Sequence, residues 1–315
     1  MQLWADDLEA LRPTLREECA ELLRMWPSAS EDRDKPPAER IAAQRAERNT
    51  MVVLDESAVE REIPGPGGPI RLRTFVPGQV DGVLLHFHGG GWIVGTPEMM
   101  DPFHAALSAA ANVAIVSVDY RLAPEHPFPA GPDDCEAAAV WLLEHAEREY
   151  GSSHLLVGGE SAGAHLAAVT LLRMRDRHDA IERFVGANLV MGLYDLAGTP
   201  SQRGVGAGPD VLDPESINFF TEMFTPGLTL DERRDPEISP LHADLRGLPP
   251  AFLTAGATDH LVDDTLFLAD RWRLAGNDVE LIVYPESPHA FVAMPSVAAH
   301  FFPRLIAFAK ERLAD

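Results

Sequence analysis

Six short apolar runs punctuate this chain, each followed by a segment of helical character. They are GVLLHFH (82–88), NVAIVSVDY (112–120), HLLVGG (154–159), FVGANLVMGLYD (184–195), PAFLTAGATD (250–259) and DVELIVYP (278–285). None of them alternates strictly between apolar and polar residues, so both faces of each strand must be covered. Apolar strands alternating with helices mean a mostly parallel sheet with helices packed on both sides. Two more strands are expected around the Gly/Pro turn of MVVLDESAVEREIPGPGGPIRLRTFVP (51–77), which brings the expected sheet to eight. The expected helices lie near 99–111, over PDDCEAAAVWLLEHAERE, over 162–177, over DDTLFLADRWRLAGN, and from about Ser296 onward. The acidic start of the second suits the positive end of a helix dipole.

Two regions stand outside this alternation. Residues 1 to about 50 read as amphipathic helix, with Leu3, Leu8, Leu11, Leu15, Leu22 and Leu23 near helical spacing and a break over WPSASEDRDKPP (26–37). Residues 196–236 are too long for an ordinary loop, and DPESINFFTEMF within them reads as an apolar helix. Inserts of this length commonly act as lids or binding elements. The expected division is an N-terminal helical part over 1–50, a core over 51–195, an insert over 196–236, and the rest of the core over 237–315.

Composition narrows the partners. With 315 residues, 46% of them hydrophobic, the chain can bury a large core. Its net charge of −23 provides no basic footprint for nucleic acid and repels strongly anionic ligands at long range. Cys19 and Cys135 are the only cysteines, which is neither a disulfide framework nor a zinc ligand set. No run has the roughly 20 apolar residues of a membrane span. The acidic MQLWADDLEALRPTLREE lacks the apolar stretch of a signal peptide. A cytoplasmic protein without a membrane span is the expectation.

The chemistry lies in the turns after the strands. Gly159-Glu160-Ser161-Ala162-Gly163 fits G-x-S-x-G between an apolar strand and a helix. In that setting a serine sits on a sharp, strained turn, and the helix N-terminus behind it favours negative charge. A plain Gly/Ser turn is the competing reading, because a serine hydroxyl is inert without a base. HGGGW (88–92) follows the strand VLLHF. Glycine amides there can face an oxyanion, joined by the amide of Ala162. A flexible loop or a phosphate nest is the alternative, although no G-K-[ST] accompanies it. His289, in YPESPHAF after the last strand, stands where a base is expected. The histidines His86 and His88 are read as serving the glycine loop, and His154 and His165 as packing. For the group that orients the base, FLTAGATDHLVDD offers Asp259, Asp263 and Asp264. Asp259 is nearest the strand end, and the other two read as helix-cap or surface charges. Glu286 is a further rival.

Taken together, HGGGW, DYRLAPEHPFPAGPDDCEAAAVWL, GESAG, SPLHADLRGLPPAFLTAGATDHLVDD and the late histidine resemble the hormone-sensitive-lipase-like esterases, the bacterial family IV of the α/β-hydrolase superfamily. The resemblance covers roughly residues 50 to 310. It implies the α/β-hydrolase fold, with Ser161 as nucleophile, Asp259 as orienter and His289 as base. It also implies an oxyanion hole from Gly90, Gly91 and Ala162, with Gly89 as turn-former. The N-terminal helices and the 196–236 insert would join as a cap, with Trp92, Phe219, Phe220 and Met223 forming an apolar pocket. Phe224 is a further candidate for that pocket. No metal or cofactor is called for, and the implied substrates are small esters with short to medium acyl chains. Members of this family often dimerise, so a homodimer is one expected assembly.

One position departs from the family: Glu160 stands where Asp or Thr is common, and its partner is expected in backbone or in the DYRLAPE segment. Arg121 and Glu125 of that segment are expected to pair in a buried network. Other acyl hydrolases share these residues, so lactonase, arylformamidase and amide deacetylase remain alternatives. A non-catalytic receptor on the same scaffold is a further one, against which the presence of His289 argues.

Overall fold

A computed structural model of the chain describes residues 4–26, 34–208 and 210–314. Most of the expected 26–37 loop therefore lies outside the described residues. The eight strands are β1 (Val59–Ile63), β2 (Ile70–Phe75), β3 (Gly82–Phe87), β4 (Val113–Val118), β5 (Leu155–Glu160), β6 (Phe184–Val190), β7 (Ala251–Gly256) and β8 (Val279–Tyr284). They form one sheet in the order β1-β2-β4-β3-β5-β6-β7-β8. β2 runs antiparallel to both β1 and β4, and every other pairing is parallel. Every residue of β3, β4, β5 and β7 is buried, which is why those strands are apolar without alternation. β1 reads VEREI, exposes all but Ile63, and guards the sheet edge with charge.

The long helices are α1 (Asp6–Met25), α2 (Pro37–Thr50), α3 (Asp101–Ala111), α4 (Ala130–Tyr150), α5 (Ala162–His178), α6 (Pro214–Phe224), α7 (Val262–Leu274) and α8 (Pro295–Leu313). One apolar core joins α4, α5 and α7 to the sheet. A second, on the opposite face, joins α1, α3 and α8. Two cores on two faces are what strands buried on both sides require.

The N-terminal helices have separate fates. α1 buries Leu8, Leu15 and Leu22 in the α3–α8 core. Its Arg12 and Arg16 pair with Glu286, and its Glu18 accepts from Ser296. α1 thus buttresses the core along its length, and Trp26 at its C-terminal end reaches the cavity above Ser161. α2 instead lies over the C-terminal ends of the strands. Its Arg45 donates to the carbonyls of Ile93 and Ala123 and pairs with Glu125. Arg121 pairs with buried Asp134 of α4 at 2.8 Å. The expected Arg121–Glu125 network therefore does not form, because each partner meets a different helix.

Asp264 also departs from expectation. It is fully buried and accepts from the backbone N–H groups of Tyr194 and Asp195, the Thr199 hydroxyl and the Gln202 amide. It is the anchor where the insert leaves β6, not a surface or cap charge. Asp263 accepts from Ser201 N–H beside it. Among the described residues no helix is long and apolar enough to cross a membrane.

Candidate active site

β5 ends at Glu160, and α5 begins at Ala162. The single residue between them, Ser161, has φ 55° and ψ −117°. A non-glycine residue held at such angles costs about 1–3 kcal/mol, which the surroundings must offset. Ser161 N–H donates to Val190 O on β6, and Ser161 O accepts from His165 N–H one turn into α5. The flanking glycines are needed for clearance. A Cβ on Gly159 would lie 2.3 Å from Phe87 O, and one on Gly163 only 1.9 Å from it. The turn is thus pressed against the end of β3, and only residues without a side chain fit there.

Ser161, His289 and Asp259 come together from three strand ends. His289 Nε2 lies 3.0 Å from Ser161 Oγ, and His289 Nδ1 lies 2.9 Å from Asp259 Oδ2. The other Asp259 oxygen accepts from Leu261 N–H, which fixes the carboxylate's plane. Burial works against charge on His289, but the carboxylates of Asp259 and Asp210 outweigh it, so its pKa is raised above the ordinary histidine value. Asp263, Asp264 and Glu286 do not reach the imidazole. Glu286 is engaged by α1 through Arg12 and Arg16.

Asp210 was not singled out by the sequence. It belongs to the insert, is largely buried, and accepts from the backbone N–H of His289 at 2.7 Å and of His260 at 3.0 Å. Its partners lie 79 and 50 residues along the chain. Neither spacing nor periodicity within GPDVLDPE distinguishes it from its acidic neighbours.

The glycine loop lies beside the serine. Gly90 has φ 122°, and a Cβ there would meet Val94 O at 2.1 Å. Gly90 O accepts from Ile93 and Val94, while no described backbone acceptor takes the N–H of Gly90 or Gly91. Trp92 braces the loop: its ring stacks on Phe224 at 4.6 Å, and its Nε1–H donates to His165 Nδ1. His165 Nε2–H in turn donates to Ile238 O, so the ring is a neutral bridge, and burial pushes its pKa down to about 4. His88 donates from Nδ1 to Gly89 O, accepts from the Tyr120 hydroxyl at its carbonyl, and is likewise pushed by burial to about 4. His154 is exposed, so the packing role expected of it is corrected.

Glu160 meets neither backbone nor DYRLAPE. Its carboxylate lies 3.0 Å from His86 Nε2, and His86 Nδ1 lies 3.0 Å from Ser117 Oγ. The sequence missed this pair because β3 and β5 are neighbours only in the sheet.

A cavity of about 800 Å³ opens above Ser161. Gly89 to Trp92, Ser161 and His289 form its floor, and Gln44 and Arg48 of α2 with Ile217 and Phe220 of α6 form its roof. A further wall comes from Met99, Met100 and Phe103 with Phe301 and Phe302. Of the four apolar residues expected there, Trp92 and Phe220 line it. Phe219 turns away to carry the Arg40 guanidinium 4.1 Å above its ring, and Met223 packs against the sheet-face core. Neighbours on a helix point about 100° apart, so one α6 face serves the cavity and the next serves α2. The α3–α8 wall was unforeseen because its residues read as ordinary core. Among the described residues no cluster of three or more His, Cys, Asp or Glu is arranged to hold a metal ion.

Comparison with known proteins agrees with this architecture. Residues 84–293 match the family model described as alpha/beta hydrolase fold. Carboxylesterase NlhH of Mycobacterium tuberculosis is 35% identical over 253 residues, which are 76% of this chain and 77% of that one. The hyperthermophilic esterase of the archaeon Pyrobaculum calidifontis superposes with a TM-score of 0.80 at 27% identity, covering 95% of this chain and 97% of that one. A hormone-sensitive lipase from a metagenome library superposes at 0.76 and 27% identity, covering 99% of this chain and all of that one, 100%. The chain belongs to the α/β-hydrolase family, in its hormone-sensitive-lipase-like branch of carboxylic ester hydrolases.

Proposed function

We propose that this protein is a serine carboxylesterase acting on small, uncharged esters through an acyl-enzyme. The observation that carries the reading is the unbroken chain Ser161 Oγ, His289 Nε2, His289 Nδ1, Asp259 Oδ2, with contacts of 3.0 and 2.9 Å beside a loop of unengaged amides. His289 takes the Ser161 proton as Oγ bonds to the ester carbonyl carbon. The carbonyl oxygen, now an anion, is held by the N–H groups of Gly90, Gly91 and Ala162, each such donor contributing about 3 kcal/mol of barrier lowering. Asp259 keeps the imidazole in the right tautomer and stabilises the imidazolium. The C–O bond to the alcohol breaks, the alcohol leaves with the proton from His289, and water repeats the sequence to free the acid and Ser161.

The roof formed by α2 and the 196–236 insert acts as a cap. Two apolar walls, one from α6 and one from α3 with α8, give the acyl and alcohol parts separate room. This supports short to medium acyl chains. The names of relatives, a carboxylesterase and an esterase among them, support the reaction class. The test is a p-nitrophenyl ester series from acetate to decanoate, run with a lactone and an anilide on the protein and on Ser161→Ala. The expected result is turnover peaking at short or medium esters and lost in the variant. Turnover retained without Ser161, or confined to the lactone or anilide, overturns it.

A further inference from the structure

The mechanism above uses one carboxylate beside His289, yet the structure puts two there. Asp210 comes from the insert, not from the sheet that carries the triad. One of its oxygens accepts from His289 N–H at 2.7 Å and from Val211 N–H at 2.7 Å. The other accepts from His260 N–H at 3.0 Å and lies 3.3 Å from His260 Nδ1. A single buried carboxylate thus spans the β7–α7 loop, which carries Asp259, and the loop after β8, which carries His289. We propose that Asp210 is a positioning residue for the triad, clamping both loops in register and making that register depend on the insert being seated.

The physical case has two parts. The first is geometric. Asp210 holds the backbone N–H of His289, while Asp259 holds its Nδ1 and Ser161 Oγ meets its Nε2. If the insert lifts, two buried N–H groups lose their acceptor at once, and His289 keeps only the contacts of its ring. A displacement of about 1 Å in a reacting group costs on the order of 10²-fold in rate. The second is electrostatic. The imidazolium that forms as Ser161 attacks sits among the charges of Asp259 and Asp210, opposed by Arg48 on α2. Asp210 itself faces His260, whose pKa it raises by hydrogen bonding, with Asp213 and Asp259 acting on the same ring. The half-buried Cys19 thiol of α1, pushed up by burial, also feels Asp210 and Glu286. Removing the charge of Asp210 takes away a group that favours the protonated imidazole, so the acid limb of the pH profile must move to lower pH.

The inference rests on Ser161 and His289 acting as a pair, so two of its readouts need no ester turnover. Asp210→Asn and Asp210→Glu are compared with the unaltered protein in three readouts: kcat and KM for p-nitrophenyl butyrate against pH, the rate of Ser161 labelling by a fluorophosphonate against pH, and Tm. The expected result for Asn is a kcat lowered about 10- to 100-fold with KM little changed. Its acid limb moves down by about half a unit or more, and labelling slows in parallel. Glu keeps the charge on a longer arm, so it slows labelling but leaves the acid limb in place. An Asn variant that is folded, keeps kcat within about twofold and shows an unmoved acid limb overturns the proposal. If Asn does not fold, Glu decides: slowed labelling supports the clamp, and unchanged labelling refutes it. Failure of ester turnover in every form, with labelling still dependent on Asp210, refutes the esterase reading and leaves this one standing.

Discussion

The floor and the roof of the cavity are built by opposite means. The floor is made of consecutive residues at strand ends, in places where backbone clearance leaves almost no choice of side chain. Gly159 and Gly163 are dictated by Phe87 O, and Ser161 is held at a positive φ by hydrogen bonds to β6 and α5. The roof, formed by α2 and the insert, is held by long polar contacts: Asp264 under Tyr194 and Asp195, Arg45 on Ile93 and Ala123, Asp210 on His289. A floor of this kind is rigid and fails as a unit. A roof of this kind yields one tether at a time, which suits a surface that must admit substrate.

The largest effect should come from the floor. Ser161→Ala and His289→Ala should each lower kcat on the order of 10⁶-fold, and the double variant should be no worse than either. A double variant much slower than both singles, measured on p-nitrophenyl butyrate, would mean the two residues do not act as one device. Next comes Gly163→Ala, whose Cβ would enter the 1.9 Å gap to Phe87 O. Overpacking a rigid site costs about 3 kcal/mol, and the nucleophile shifts with it. Thermal melts and activity should fall together here, whereas the same change at Gly78, where nothing lies within 4 Å and φ is not positive, should leave both intact.

These differences explain what the sequence disclosed. β3, β4, β5 and β7 were legible because burial on both faces leaves an uninterrupted apolar run, whereas β8, at the sheet edge, buries only its last three residues and keeps Glu280 exposed. The serine turn and the glycine loop were legible because their geometry is local and excludes other residue types. His289 and Asp259 were legible through their place after a strand, once the strands were known. The roof was not, since nothing in GPDVLDPE says that Asp210 spans two distant loops, or in GESAG that Glu160 meets His86. Phe219 and Phe220 are neighbours of the same type, and only the packing of α6 against α2 decides which of them faces the cavity.

That last pair gives a prediction of middle size. Phe220→Ala enlarges the cavity and should shift preference toward longer acyl chains, changing kcat/KM ratios by about 1–3 kcal/mol. Phe219→Ala removes the platform under Arg40 and should lower Tm with the chain-length profile unchanged. Equal shifts in profile from both would mean that α6 sits differently in solution. The pH profile sharpens the same contrast. His289 must be neutral to accept the Ser161 proton, and its pKa is raised, so kcat/KM should fall as pH drops through a value above 6.5. An acid limb below 6.5 would mean that the carboxylates of Asp259 and Asp210 do not outweigh burial.

The smallest effect belongs to the outer tether of the roof. Arg45 ties α2 to the carbonyl of Ile93 after the glycine loop and to that of Ala123 after β4, and its remaining donors meet Glu125, which is more than half exposed. A solvent-exposed ion pair contributes about 0–1 kcal/mol, whereas a guanidinium filling two backbone acceptors also supplies geometry. Glu125→Gln should therefore leave Tm within a degree or two and kcat unchanged, because Arg45 still reaches Ile93 and Ala123. Arg45→Ala should raise KM and leave the fluorophosphonate labelling rate of Ser161 nearly as it was, since the floor does not need α2. Loss of labelling in Arg45→Ala would break the comparison itself, because it would make the floor depend on a roof contact other than Asp210.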